Sequence, residues 1–408
     1  MSDDIKILRS LAYRYAEIVN GENNLYNMKL HSSVNDLQQI RPVVMIDELP
    51  WSEMNINNEL TLMCEDLYLR KIEWFLRKIL FKHKYMPADM ILIPYIPVGK
   101  IINSTGFGIT TVENILATDK QNRIVSHDYI DILSTEEDLA KLHRQVISYD
   151  EKSTLERYNL VSEILGDIMP VRITGVNTFY SVTWDDISRY RGVSHLLMDL
   201  ADRPDFMHRI VRRLTDFQLD TFNQYETLGL LDTDNYNLHC TPALTKDLPA
   251  KETGITRKNI WGRGAAQIFA SVSPSMHNEF DIDYMIETIG QCGLSYYGCC
   301  EPLDTKIDIV KRIPNLRKIS ITPWANVNIA AEAIGKKYVL SSKPNPAKVA
   351  VPMLNKDDLR LEIKEILDAC KRNNCSSDIV LKDISSCNSR PENIFEWEQI
   401  VMEMVRSY

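Results

Sequence analysis

Residues Gly293 to Asp304 read GLSYYGCCEPLD and place two thiols and a carboxylate, Cys299, Cys300 and Glu301, at the end of an apolar run. Thiolates and carboxylates are zinc ligands, and an apolar run of this length predicts a buried strand that delivers them at its C-terminal end. Barrel enzymes keep their chemistry at that end of their strands. Adjacent thiols point to opposite faces of a strand, so the pair shares one site only where the chain bends. A free cysteine is also a common core residue, and on the pair alone packing is the favoured reading.

Other chemistry-bearing residues follow other apolar runs. His239 closes the run from Leu231 and is a candidate nitrogen ligand or a core histidine, while the neighbouring Cys240 is read as packing. Cys387 lies in a polar loop ahead of a helical pattern, an odd place for a buried structural thiol, and is a candidate metal ligand. Asp47 and Glu48 end the run RPVVMIDELPW and, with Glu301, are the candidate catalytic acids; Glu301 has the alternative of capping a helix that begins near Leu303. Lys343, in SSKPNP, is placed to bind an anionic group, and Asp383 to orient a ligand or cap the last helix. Trp51, Trp324 and Tyr297 are candidate walls of one pocket near the cysteines.

Positioning these residues falls to an alternating series of elements. Apolar positions from Ile5 to about Asn27 recur at helical spacing, and a first strand is read within 41–51. A long helix is expected from Asn58 to Lys84, then a strand from Met90 to Ile96. Further strand candidates are 170–175, 231–239, 267–272, 293–298, 318–321, 338–342 and 379–382, with amphipathic helices between most of them. Strands that alternate with helices predict a parallel sheet. The count is nine where a closed barrel takes eight, so one run, 231–239 or the first, is misread. A barrel is preferred to an open doubly wound sheet because no glycine-rich phosphate turn follows an early strand, and no P-loop is present. On this reading Glu48 and Glu301 share one rim.

The net charge of −9 argues against a nucleic-acid or anionic-membrane surface, which needs clustered lysine and arginine. No apolar leader follows Met1 and no run reaches eighteen apolar residues, so the expectation is a cytoplasmic protein. Eight cysteines spread over 408 residues are not a secreted disulfide framework, and reduced thiols are expected.

Three late segments, YYGCCEPLD, then ISITPWANVNIAAEAIGKKYVLSSKPNPAKV, then LKDISSCNSRPENIFEW, together resemble the uroporphyrinogen decarboxylase-like superfamily. The pattern is most similar to its zinc-dependent branch, which moves methyl groups from a corrinoid to a thiol. The resemblance implies a (β/α)8 TIM-type α/β barrel over residues 41–408 with an N-terminal helical extension over 1–40. It implies zinc as cofactor, a corrinoid protein as partner, a small-molecule acceptor, and pairing as a homodimer. Cys387 ahead of Arg390-Pro391-Glu392-Asn393-Ile394 matches the branch's late cysteine ligand, and YYGCC stands where the branch has His-x-Cys-Gly. The histidine of that motif is absent, Tyr297 or Gly298 taking its place. The expected zinc site is therefore Cys387 with Cys299 or Cys300, completed by His239 or Glu301. The decarboxylases carry arginines after their first strand where this chain has Asp47 and Glu48, which would repel a polycarboxylate substrate. Two alternatives remain: a metal-free decarboxylase or lyase using Asp47, Glu48 and Lys343 on a small substrate, and a non-catalytic binding barrel.

Overall fold

Seven parallel strands form the sheet of the computed structural model, which describes residues 2–116 and 126–408. They are β1 (Val43–Ile46), β2 (Thr178–Ser181), β3 (Trp261–Gly264), β4 (Leu294–Tyr297), β5 (Leu316–Ile321), β6 (Val339–Ser342) and β7 (Ser376–Leu381). Their order is β1-β7-β6-β5-β4-β3-β2, so the first strand pairs with the last and every other neighbour is consecutive. In an open doubly wound sheet the first strand sits centrally. Here it is at an edge, and among the described residues no ladder joins β1 to β2.

Side chains alternate across the strands. Val44 and Ile46, Ile319 and Ile321, Leu340, and Ile379 and Leu381 face outward into the largest core, shared with helices Lys356–Asn373 and Glu392–Arg406. On the inner face Val43, Met45, Val339 and Val380 pack against Leu30 and Val34 of helix Glu22–Asn35. Trp261, Leu294 and Tyr296 pack against the hairpin on the same face, and further inward positions are polar and buried: Arg263, Lys318, Ser320, Ser341, Lys343, Asp378 and Lys382. A short hairpin, Asn237–Leu238 with Thr241–Pro242, lies on this face. It is held there by Thr241 Oγ1, 3.0 Å from Ser341 Oγ and 3.1 Å from Asp378. Lys318 Nζ donates to Pro242 O at 2.7 Å, and Trp261 Nε1 to Ala243 O at 3.0 Å.

Several expected elements are displaced. The leading helix is two helices, Ser2–Val19 and Glu22–Asn35, parted at Asn20 and Gly21. The helix expected from Asn58 starts only at Leu69, because 59–68 turns so that Glu73 accepts the amides of Met63 and Cys64. The strand read over Met90–Ile96 begins at Ile96 and pairs with Val171–Thr174 outside the main sheet. The run 231–239 is no strand: Leu231 makes one bridge to Val176, and the rest leads into the hairpin. Residues 267–271 form a 3-10 turn, and the strand lies earlier, at Trp261–Gly264. The strands within 41–51 and 293–298 do run parallel in one sheet, so Glu48 and Glu301 follow the same ends of it. Among the described residues no helix is long and apolar enough to cross a membrane.

Candidate functional site

The chain ends of β1, β4 and β7 and the hairpin turn converge on Cys299. Its Sγ lies 3.5 Å from His239 Nε2, 3.7 Å from Cys300 Sγ and 3.8 Å from Lys382 Nζ. Cys300 Sγ lies 3.6 Å from Asp383 Oδ2. Lys382 Nζ pairs with Asp383 at 2.7 Å and Glu48 at 3.3 Å, and the Asp383 amide donates to Glu48 at 3.2 Å. Glu48, His239 and Cys240 each offer a ligand atom within 4.8 Å of the other two. His239 is thus common to both groupings.

The backbone under these residues is unusual. Glu48, His239, Cys240 and Asp383 all have left-handed φ, at 48°, 41°, 67° and 56°. Glycine and asparagine enter that region readily, and other residues pay a steric penalty there that persists only where the surroundings hold them. Gly298, at φ 100°, supplies the bend ahead of Cys299 that lets neighbouring thiols meet.

Two features fix Cys299. Glu301 is fully buried, and instead of capping a helix it accepts the amides of Cys299 at 3.0 Å and Ala266 at 3.1 Å, tying the loop after β4 to the one after β3. Burial pushes its carboxyl up to about 7. Ser320 Oγ donates to Cys299 O at 3.2 Å. The thiol itself is held below the ordinary cysteine range by the hydrogen bond from Cys300, which outweighs burial, with help from His239, Arg263 and Lys382. That same bond and burial raise Cys300. Burial opposes charge on Lys382, yet Cys299, Asp383 and Glu48 outweigh it and keep the amine protonated above the usual lysine range.

The remaining sequence candidates lie elsewhere. Cys387 is buried, and its Sγ donates to Glu53 Oε2 at 3.2 Å; burial and that carboxylate push the thiol up to about 12. Tyr297 faces outward, its hydroxyl 2.6 Å from His277 Nε2 and 2.5 Å from Asp281 Oδ2. Trp51 packs edge-on against Trp74 and Phe81. Trp324 is 70% exposed and lines a cleft with Thr322, Asn326 and Glu362. Lys343 turns to the inner face, where its Nζ donates to Ser341 Oγ at 2.6 Å. Asp47 Oδ2 accepts a 3.4 Å contact from Asn237 on the hairpin. Cys240 packs as read, with Val43, Met45, Val339 and Val380, and also lies within ligand reach of Glu48 and His239; sequence reasoning missed Lys382 and Arg263, and for Lys382 the signal was its place beside Asp383 at a strand end.

The donors Glu48, His239 and Cys240, which lie within 4.8 Å of one another, are compatible with zinc. Sulfur and nitrogen ligands about 2.3 and 2.05 Å from a tetrahedral ion lie about 3.6 Å apart, and two sulfurs about 3.8 Å apart. The spacings from Cys299 to His239 and to Cys300 are of that size.

No protein-family model matches the chain. No curated protein matches it either. Among solved structures it is similar to a methyltransferase from Methanosarcina mazei, at 12% identity and a TM-score of 0.48, over 93% of this chain and 98% of that one.

Proposed function

We propose that the chain is a methyltransferase that moves a methyl group between a corrinoid, carried by a partner protein, and the thiol of a small acceptor, with zinc as its resident metal. The observation that carries this reading is His239 Nε2 at 3.5 Å from Cys299 Sγ, with Glu48 and Cys240 within ligand reach of the same imidazole. In this reading the sheet is most of an eight-stranded barrel, a view supported by the pairing of β1 with β7. His239 and Cys299 hold the metal with Glu48 and one further thiol, Cys240 or Cys300.

Zinc bound here supplies a Lewis acid that lowers the pKa of an incoming thiol and presents it as a nucleophile at neutral pH. The chain's own residues prepare that position. Glu301 fixes the Cys299 amide, and Lys382 offsets the negative charge that thiolates and carboxylates gather at one point. Asp383 and Glu48 hold Lys382 in turn. A partner-borne corrinoid would supply the methyl group and keep the bonding electron pair, and the acceptor thiol, its proton lost to solvent, would take the methyl group on sulfur.

The test supplies zinc-loaded protein with methylcobalamin and a panel of small thiols and follows loss of the methylcobalamin spectrum. Thiol-dependent consumption that disappears in Cys299→Ser is expected. Zinc-loaded wild-type protein that consumes none with any thiol, or a Cys299→Ser variant as active as wild type, would overturn the reading.

A further inference from the structure

His239 and Cys240 are the whole loop of the hairpin, for Leu238 pairs with Thr241 and Asn237 with Pro242 on either side of them. Both loop residues have positive φ, the pattern of a type I′ turn, where asparagine and glycine are at ease and histidine and cysteine are not. A hairpin of two residue pairs does not hold its shape alone. The place of His239 is therefore set by what grips the two residues that flank the loop.

Leu238 is gripped by packing: it is fully buried and clusters with Trp261, Leu294 and Tyr296 of β3 and β4. Thr241, also fully buried, is gripped by hydrogen bonds. Its hydroxyl donates to Asp378 Oδ1 on β7 at 3.1 Å, accepts from Lys318 Nζ on β5 at 3.3 Å and lies 3.0 Å from Ser341 Oγ on β6. Lys318 and Asp378 are fully buried and pair at 2.8 Å. Lys318 also donates to Pro242 O at 2.7 Å, so the pair holds two successive residues of the hairpin. Replacing a buried ion pair by apolar residues of similar volume is often neutral for stability, so such a pair is better explained by the arrangement it specifies. Apolar packing on Leu238 tolerates a slide along the surface, whereas directed bonds to three strands do not.

We propose that Thr241 is a positioning residue: its hydroxyl, held by Ser341 and the Lys318–Asp378 pair, fixes the hairpin on the sheet and so sets the reach of His239 to Cys299. That reach is 3.5 Å from Nε2 to Sγ. The consequence for zinc rests on the methyltransferase reading; the contact itself does not.

The test is NMR of the full chain, freed of metal by chelator and isotope-labelled at histidine Cε1. The chain has eight histidines, and the His239 signal is the one that His239→Gln removes. In wild type, Cys299→Ser is expected to move that signal, because sulfur and imidazole touch. Thr241→Val is expected to shift it and to abolish most of its response to Cys299→Ser. Thr241→Ser, which keeps the hydroxyl, is expected to behave as wild type, a rescue that separates the hydroxyl from the packing of the methyl group. Should Thr241→Val not fold, Ser341→Ala removes a partner of the same hydroxyl without touching the hairpin and is expected to shift the signal. In a second arm, zinc titration, folded Thr241→Val is expected to bind about tenfold more weakly than wild type. The proposal is overturned if the wild-type His239 signal ignores Cys299→Ser, if folded Thr241→Val keeps the wild-type signal and response, if Thr241→Ser moves the signal as far as Thr241→Val, or if Ser341→Ala, read in place of an unfolded Thr241→Val, leaves it unmoved. Zinc affinity equal in wild type and Thr241→Val overturns it as well. A wild-type chain that binds no zinc contradicts the methyltransferase reading alone, and the metal-free signals still decide this one.

Discussion

Cys299 owes its position to a carboxylate that a substitution by its closest neutral analogue cannot replace. Glu301 accepts two backbone amides through its two oxygens. Glutamine keeps one acceptor and turns an NH2 group toward the other amide, leaving a buried donor unpaired. Glu301→Gln is therefore expected to lose about 1–3 kcal/mol of stability, measured by denaturant unfolding, despite its near-identical shape. At this scale the chain was legible in part. Cys299, Cys300, His239 and Glu48 each follow an apolar run, and the structure gathers them. Cys240 does pack in the apolar cluster expected of it, but its nearness to His239 and Glu48 comes from a left-handed turn that the sequence does not announce. Tyr297 shows a different failure. The aromatic pair at 296 and 297 gives no clue to register, and one step along a strand exchanges the faces. Tyr296 turned inward and Tyr297 outward.

At the scale of elements, the helix Glu22–Asn35 does more than extend the N-terminus. Its Leu30 and Val34 pack on the inner face of the sheet, and His31 is buried with Nε2 2.7 Å from Asp89 O. Burial pulls His31 down to about 4, against about 6.5 for the unfolded chain. The unfolded chain binds the proton first as pH falls, so the contribution of neutral His31 is complete above about pH 6.5 and is lost progressively toward pH 4. The full shift corresponds to about 3 kcal/mol. His31→Gln, which can still donate to Asp89 O, should show a flatter decline of unfolding free energy over that window than wild type; equal slopes would show that His31 does not carry the dependence. Elements with several β-branched or aliphatic residues, such as β5, β6 and β7, were legible from their apolar runs. Strand β3 was not, because WGRG holds two glycines, which ordinarily weaken a strand. Packing explains them: a Cβ on Gly262 would lie 2.7 Å from Ile289 Cβ, so the helical turn behind the strand requires the bare backbone.

For the molecule as a whole, the alternation of strand and helix was enough to announce a parallel sheet; its first strand pairs with its last, and among the described residues no ladder closes the sheet into a ring. The filling of its inner face was not legible, since it depends on a hairpin from one part of the chain entering a face built by seven strands. The net charge of −9 likewise conceals a local excess of cations at the centre, where Arg263, Lys318, Lys343 and Lys382 are all buried. The central claim is that strand ends remote in sequence assemble one zinc site around Cys299 and His239. It is tested most directly by zinc stoichiometry on protein supplied with zinc and cleared of excess. About one tightly held zinc per wild-type chain is expected, retained in Cys387→Ser, whose thiol serves Glu53, and lost in both Cys299→Ser and His239→Ala. A wild-type chain that holds no zinc, or Cys299→Ser and His239→Ala variants that both keep it fully, would contradict the account.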